Sequence, residues 1–265
     1  MKTIVSRSIV AAMLGAGSLS AMAATNWTLT NSAANEPEVT GWKAASNTSD
    51  IYRTSVGYWT GSGVGVGGES SSDGQHAMDN KDGYELALMS FDSAVRLESV
   101  RAGWTQSDSD IFVMAFTGLG SMTAAESLDG GTFSNLTRRG WTLIGNYADI
   151  GTGAQDLGTT SGAFENTYSS FWLIGAGGFA AGVGVTNDTT ATTARVCTQY
   201  YWNGGCKAWS TQTSYSPRYD YLKLANVTAT VKPPSEGTVP EPGSLALAGI
   251  ALLGMVGLRR RERAR

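Results

Sequence analysis

Short apolar or alternating runs, separated by clusters of Gly, Asn, Asp, Ser and Thr, make up most of residues 24–235. Long helical periodicity is missing from this part of the chain. The clearest strand patterns are residues 84–91, 94–100, 111–116, 141–144, 171–174 and 219–231. Many short strands with turn signals between them predict an all-β fold, an antiparallel β-sandwich of jelly-roll type.

Two of these runs carry more local information. Val95 and Leu97 share one face of a strand while Val100 falls on the other, which predicts a β-bulge near Ser99. Residues 111–116 are fully apolar, as in a strand buried on both faces or a short helix, and their Ile, Val and Phe content favours the strand. A short helix is expected around residues 124–126, and a flexible glycine-rich loop over residues 61–74.

The pattern changes at the N-terminus. Lys2 and Arg7 precede an apolar stretch at residues 9–19, and Ala21-Met22-Ala23 then places small residues at the positions of a signal-peptidase site before Ala24. The apolar stretch is too short to span a membrane. We therefore expect residues 1–23 to be a cleaved signal peptide that directs the chain to the Sec export machinery.

The C-terminal end carries a second apolar segment. Residues 245–258 are small and apolar; they follow Pro240-Glu241-Pro242 and precede five arginines, among them Arg259, Arg260 and Arg261. As a helix the segment would be about 21 Å long, short of the roughly 30 Å hydrocarbon core, so it predicts a marginal span with snorkelling flanks. The arginines would stay on the cytoplasmic side of the inner membrane.

This order of proline-flanked turn, apolar helix and terminal arginines resembles the PEP-CTERM sorting signal of exosortase substrates in Gram-negative bacteria. The resemblance implies that exosortase recognises Pro240, Glu241 and Pro242 and cleaves nearby, after which the protein passes to the cell surface or an extracellular matrix. The alternative is a plain tail anchor. Tails of this kind are also labelled as the C-terminal domain of ice-binding proteins, a label that describes only the tail.

A weaker resemblance covers residues 70–116. The run His76-Ala77-Met78-Asp79-Asn80, a following strand pair, Gly103-Trp104 and Asp108-Ser109-Asp110 resemble a group of exosortase-dependent surface proteins. The resemblance implies a fold and a location but no activity. The organisation expected is a signal peptide at 1–23, a β-sandwich at 24–231, a linker at 232–239 and a sorting signal at 240–265.

The net charge and the two cysteines limit the partners and the sites that fit this sequence. Residues 24–240 hold 12 basic and 20 acidic side chains, a net charge of −8, which makes nucleic acid an unsuitable partner. The two cysteines, Cys197 and Cys206, are expected to form a disulfide in an exported chain, worth about 2–3 kcal/mol. A metal–thiolate site would need more ligands than these two and the single histidine.

Side chains that offer oxygen ligands suggest a calcium site. Candidate calcium ligands lie in two acidic loops: Asp79, Asn80, Asp82, Asp108 and Asp110. Their spacing is not that of an EF-hand. The alternative is that His76 and Asn80 cap turns at the end of a strand. No GxSxG or HExxH motif is present, so we expect a protein without enzymatic activity, with a secreted hydrolase as the weakest alternative.

Aromatic residues next to the cysteines suggest a sugar-binding site. The candidates for glycan contact are Tyr200, Tyr201, Trp202 and Trp209. The alternative is that Trp104, Trp141 and Trp172 fill the core while the aromatic loop covers its end. The expected function is that of an exosortase-sorted surface or matrix protein associated with exopolysaccharide. A calcium-dependent carbohydrate-binding module is the alternative.

Overall fold

The computed structural model describes residues 23–30, 32, 36–67, 76–118, 121–180, 182, 184–186 and 188–234. The predicted signal peptide up to residue 22, the sorting signal 240–265 and its helix 245–258 lie outside these residues. Ala23 and Ala24 are irregular backbone before the first strand. The chain divides into two compact units, Met1–Val231 and Lys232–Arg265, and the domain below belongs to the first.

The described residues of this domain form sixteen strands, and every pairing between named strands is antiparallel. The prediction of an all-β antiparallel sandwich is confirmed. The strands are β1 Thr25–Thr28, β2 Glu38–Ala44, β3 Tyr52–Thr54, β4 Val56–Trp59, β5 Gly63–Val66, β6 Met78–Asp79, β7 Tyr84–Ser107, β8 Ile111–Phe116, β9 Trp141–Tyr147, β10 Ala154–Asp156, β11 Ser169–Ala176, β12 Gly178–Ala180, β13 Gly184–Thr186, β14 Asp188–Tyr200, β15 Cys206–Arg218 and β16 Asp220–Val231.

Among the described residues, helical structure is confined to short pieces between strands. The helix α1, Ala124–Leu128, is confirmed where the sequence predicted it, and Thr123 and Glu126 form a capping box at its start. Two 3₁₀ helices follow, Phe133–Arg139 and Gly162–Phe164.

The longest strand, β7, connects the two layers of the sandwich. Its first half pairs with β2 and β11, and its second half pairs with β16 and β10. The central strand order is β4-β5-β16-β7-β11-β8-β9. The predicted separation of residues 84–91 from 94–100 is wrong, because the exposed pair Asp92-Ser93 lies within an extended strand that changes partners there.

The predicted bulge is confirmed. In the pairing of β7 with β16, Leu97 lies opposite Ala229 and Ser99 lies opposite Thr228, which leaves Glu98 as the extra residue. The bulge shifts the alternation by one position. Leu97 and the later Val100 can therefore both face the same core.

Two cores cover the two faces of the layer that contains β8. Ile111, Val113 and Ala115 belong to the core inside the sandwich, whereas Phe112 and Met114 belong to a second core with residues of α1 and the first 3₁₀ helix. The prediction that residues 111–116 form a strand buried on both faces is confirmed. The same alternation along β11 directs Trp172 into the first core.

The glycine-rich segment is only partly a loop. Gly63–Val66 forms the buried strand β5, so the predicted flexible loop over residues 61–74 is wrong in this part. A side chain at Gly63, whose φ is +103°, would place its Cβ 2.3 Å from the carbonyl oxygen of Leu224. Glycine is needed here because β5 lies directly against β16. Residues 68–75 lie outside the described residues.

Candidate functional sites

Within the part of the chain that the structure describes, the strands β14 and β15 pair only with each other and form a two-stranded ribbon, residues 188–218, named the arm here. Each strand has thirteen residues, and most side chains on both are exposed. An isolated two-stranded ribbon buries little apolar surface and gains little stability from packing. Most of the surface of the arm is therefore not used by its own fold and is available for contact with other molecules.

A disulfide closes the end of the arm. Cys197 and Cys206 are bonded, with their Cα atoms 5.7 Å apart, which confirms the predicted pairing. Between them, the N–H of Tyr201 donates to the carbonyl of Gly205 at 2.7 Å, and Gly204 adopts a φ of +84° that favours glycine. The cross-link lies outside the two cores, so its stabilising effect is local to this end.

The aromatic residues at this end face solvent. Trp202 is 98% exposed, and Tyr200, Tyr201 and Trp209 are each more than half exposed. The alternative that these side chains cover the end of the core is therefore wrong. Trp141 and Trp172 are buried in the cores as expected, whereas Trp104 is only partly buried and lies against Lys223. The glycan role of the four exposed residues stays a prediction.

The strand register adds two residues that the sequence analysis missed. Cys197 lies opposite Trp209, Arg195 opposite Thr211 and Ala191 opposite Tyr215. Directly opposed residues share a face of a β-ribbon, so Arg195, Trp209 and Tyr215 lie on one face, named the aromatic face here. Alternation along residues 209–215 could have indicated Tyr215, but the contribution of Arg195 required the register.

The arm joins the domain next to a group of acidic side chains. The Nη2 group of Arg218 donates to the carbonyl of Ser107 at 3.1 Å, and its Nε lies 3.2 Å from Oδ2 of Asp108. Asp108, Asp110 and Asp149 each have one carboxylate oxygen within 4.8 Å of the others. Oxygen ligands at this spacing are of the type that calcium uses.

The buried member of this cluster is incompletely hydrogen-bonded. Oδ1 of Asp108 accepts from the N–H of Ser109 at 3.0 Å, but Oδ2 accepts no hydrogen bond. Arg218 is close enough for an ion pair with Oδ2 while its N–H is poorly directed for a hydrogen bond. The charge of Oδ2 is thus balanced in part by a half-exposed arginine.

Burial and like charges weaken the acidity of these groups. Burial raises the pKa of Asp108 and of Asp110, and neighbouring carboxylates add to both effects. Burial, reinforced by the charges of Asp110 and Asp108, raises the pKa of Asp220 to about 7. Oδ1 of Asp220 accepts from the N–H of Asp110, and Oδ2 accepts from the side-chain amide of Asn80 at 2.7 Å.

The predicted calcium ligands do not form one group. Asp108 and Asp110 meet, joined by Asp149, which the sequence analysis missed. Asp79 lies outside this cluster and accepts a hydrogen bond from the N–H of Lys81 at 2.9 Å, which closes a turn. Asp82 is exposed.

The other residues of the first acidic loop have contacts of their own. The side-chain amide of Asn80 both donates to and accepts from Asp220, which ties the loop to the start of β16. His76 stacks on Trp59, with ring centres 5.4 Å apart. The contacts of Asn80 support the alternative that this residue hydrogen-bonds the backbone at the end of a strand, whereas the contact of His76 is an aromatic stack.

The C-terminal segment is identified by comparison with known families. Residues 238–261 match the family model described as the PEP-CTERM protein-sorting motif. The chain carries a PEP-CTERM sorting motif. The match includes Pro240, Glu241 and Pro242 as well as Arg259, Arg260 and Arg261, the residues that the sequence analysis assigned to the signal. Comparison with curated proteins and with solved structures finds no match to this chain.

The PEP-CTERM motif indicates an exported protein that is sorted by exosortase, with transient membrane association, toward the cell surface. Among the described residues, no helix has the length and apolar character of a membrane span. The predicted helix at 245–258 is outside that part of the chain.

Proposed function

We propose that this PEP-CTERM protein is a non-enzymatic surface or matrix protein that binds exopolysaccharide through the aromatic end of the arm. The observation that carries the proposal is the exposure of Tyr200, Tyr201, Trp202 and Trp209 beside the disulfide. Aromatic rings stack on the apolar faces of sugars, and neighbouring polar groups bind the hydroxyls. The cross-link reduces the ordering cost of binding because it holds the end of the arm in one conformation.

The proposed route to the matrix has three steps. Sec exports the chain in a Gram-negative cell, the apolar segment 245–258 holds it transiently in the inner membrane, and exosortase cleaves near Pro240-Glu241-Pro242. The arm then meets the polysaccharide outside the cell.

Removal of the sorting signal tests this route. In a host that carries exosortase, a chain that lacks residues 240–265 is expected to leave the membrane and cell-surface fractions and to become soluble. The measurement is an immunoblot of each fraction. A control that replaces Arg259, Arg260 and Arg261 with lysine keeps the positive charge and is expected to be retained. A truncated chain that is still found on the membrane would contradict the role of this segment.

Polysaccharide binding is tested by sedimentation of the full-length chain with exopolysaccharide from the native organism. We expect saturable binding, and a loss of roughly tenfold in affinity for Trp202→Ala combined with Trp209→Ala, because two stacking contacts are removed. Tyr52→Ala is the matched control, since Tyr52 is an exposed aromatic residue on the domain itself. Absence of binding, or an equal loss of affinity with Tyr52→Ala, would contradict the proposal.

A calcium-dependent version of the same function is favoured by one observation. Asp108, Asp110 and Asp149 converge beside the base of the arm, and the buried Oδ2 of Asp108 accepts no hydrogen bond. If a chelator abolishes sedimentation, Asp149→Asn is expected to reproduce the loss and the exposed Asp82→Asn to leave binding unchanged. Binding that is equal with calcium and with chelator would reject the calcium-dependent version and leave the first proposal intact.

A further inference from the structure

We propose that the aromatic face of the arm selects a polysaccharide that carries carboxylates, a polymer of uronic acids, and that Arg195 binds the carboxylate. The inference rests on the proposed function and names the class of its ligand. It depends on the face that the strand register defines and on the charge of the arm relative to the rest of the domain.

The aromatic face has the length and the chemistry of a polymer-binding strip. Trp209 and Tyr215 lie six residues apart on β15, about 20 Å along the strand, enough for several consecutive sugar units. Arg195 lies near the Trp209 end of this span, opposite Thr211. Thr193 and Thr213 form the next cross-strand pair and offer hydroxyl groups between the two aromatic rings.

The position of Arg195 suits a carboxylate ligand. The side chain is exposed, and its guanidinium lies 5.4 Å from the centre of the Trp209 ring. Stacking on the indole limits the rotamers of the arginine, while the exposed side chain keeps N–H groups available to a ligand. A uronic acid that lies along the aromatic face beside Trp209 would therefore have its carboxylate next to a fixed group that can bind it in a bidentate manner.

The charge distribution favours the same ligand. The arm carries three basic side chains and one acidic one, a net charge of +2, although residues 24–240 as a whole carry −8. The rest of that segment thus holds nine basic and nineteen acidic side chains, a net charge of −10. An anionic polymer is attracted to the arm and repelled by the remainder of the domain, which confines the contact to the arm.

Beyond its base, the opposite face of the arm lacks these groups. Beyond the charged pair Asp188 and Arg218 at the base of the arm, its members are uncharged: Thr190, Thr192, Ala194, Val196, Ser210, Gln212, Ser214 and Ser216. Neither a cation nor an aromatic ring lies among these eight residues. The arm therefore has one face suited to an anionic, ring-containing polymer. Because the two faces differ, the polymer is expected to bind to the aromatic face.

The test compares one polymer in two charge states. Full-length protein is titrated, in calcium-free buffer, with polygalacturonate and with the same polymer after methyl esterification of its carboxylates. We expect tighter binding of the charged form, weakened by salt, and a loss of about tenfold for Arg195→Gln with the charged polymer only. Arg53→Gln, an exposed site on β3 with the same change in net charge, is expected to leave both affinities unchanged.

The outcomes separate this inference from the function on which it rests. If native exopolysaccharide binds but the two polymers bind equally and Arg195→Gln changes neither, the ligand class is wrong and the proposed function stands. If native exopolysaccharide does not bind either, the proposed function fails. A concentration-dependent dimer that Arg195→Gln abolishes, without polymer binding, would replace the polysaccharide with a second copy of the chain.

Discussion

Trp172→Ala is expected to lower the free energy of unfolding by about 3–5 kcal/mol, one of the largest single effects in this domain. Trp172 is fully buried in the core inside the sandwich. It lies on β11 between Met89 of β7 and Ala115 of β8. Truncation leaves a cavity where three adjacent strands meet, and the surrounding strands can close it only in part.

Hydrogen bonds add to this loss. The indole Nε1 lies 3.0 Å from the carbonyl oxygen of Ser169 and 3.2 Å from that of Val95. Both contacts are close to the point where β11 meets the middle of β7, so the substitution also removes a polar link there. Trp172→Phe separates the two contributions because it keeps most of the ring volume and removes the donor.

The measurement is denaturant-induced unfolding of the wild-type chain and the variants. A loss of 3–5 kcal/mol corresponds to roughly a 10 °C fall in melting temperature for a domain of this size. Trp202→Ala is the matched control, since Trp202 is almost fully exposed, and its expected effect is within about 0.5 kcal/mol. An equal effect of the two substitutions would contradict the placement of Trp172 in the core.

Stability is also expected to fall as the pH rises from about 5 to 9, because of Glu85. Burial raises the pKa of Glu85 to about 8, and the charge of Asp79 adds to the increase, while Lys43 opposes it. Oε1 accepts from Nζ of Lys43 at 2.9 Å, and Oε2 accepts from the N–H of Asp79 at 3.0 Å. These contacts do not offset the cost of a charge that is almost fully removed from water.

The sign follows from proton binding. The folded chain holds the Glu85 proton up to about pH 8, whereas the unfolded chain releases it near pH 4.5. The stabilising contribution is therefore complete below the unfolded pKa and is lost as the pH rises through the folded one, a change on the order of a few kcal/mol. Asp220, with its pKa raised to about 7, adds a change in the same direction.

Glu85→Gln isolates the first contribution. The amide does not titrate, so the free energy of unfolding of this variant is expected to depend less on pH than that of the wild-type chain, and the two curves converge at low pH, where Glu85 is neutral like the amide. Glu165→Gln, an exposed site, is expected to keep the wild-type profile. A wild-type curve that rises over this range would show that Glu85 is charged in the folded domain.

The local structure was predictable wherever one run of apolar or alternating residues coincides with one strand of the fold. The strands β8, β9, β11 and β16 arise from apolar or alternating runs of four to thirteen residues. The bulge at Glu98 was predictable for the same reason, because a single extra residue must shift that alternation. The sorting motif at residues 238–261 depends only on the order of its residues along the chain.

The sites depended on contacts between distant segments. Alternation along β15 could suggest that Trp209 and Tyr215 share a face, but it could not place Arg195 with them. Asp149 joins Asp108 only because the turn after β9 packs beside the end of β7. Residue pairing of this kind depends on the strand register and on how much surface the layers of the sandwich bury together.

The amino-acid sequence by itself therefore determined the fold class, the disulfide and the sorting motif, since each is encoded in neighbouring residues or in a single pair. The tertiary structure alone decided that β7 continues through Asp92-Ser93 and that β14 and β15 leave the domain as an arm. The physical reason is that a polar pair or a threonine-rich run has the same local preferences in a turn, a loop or an exposed strand. Only its partners across the sheet decide among them.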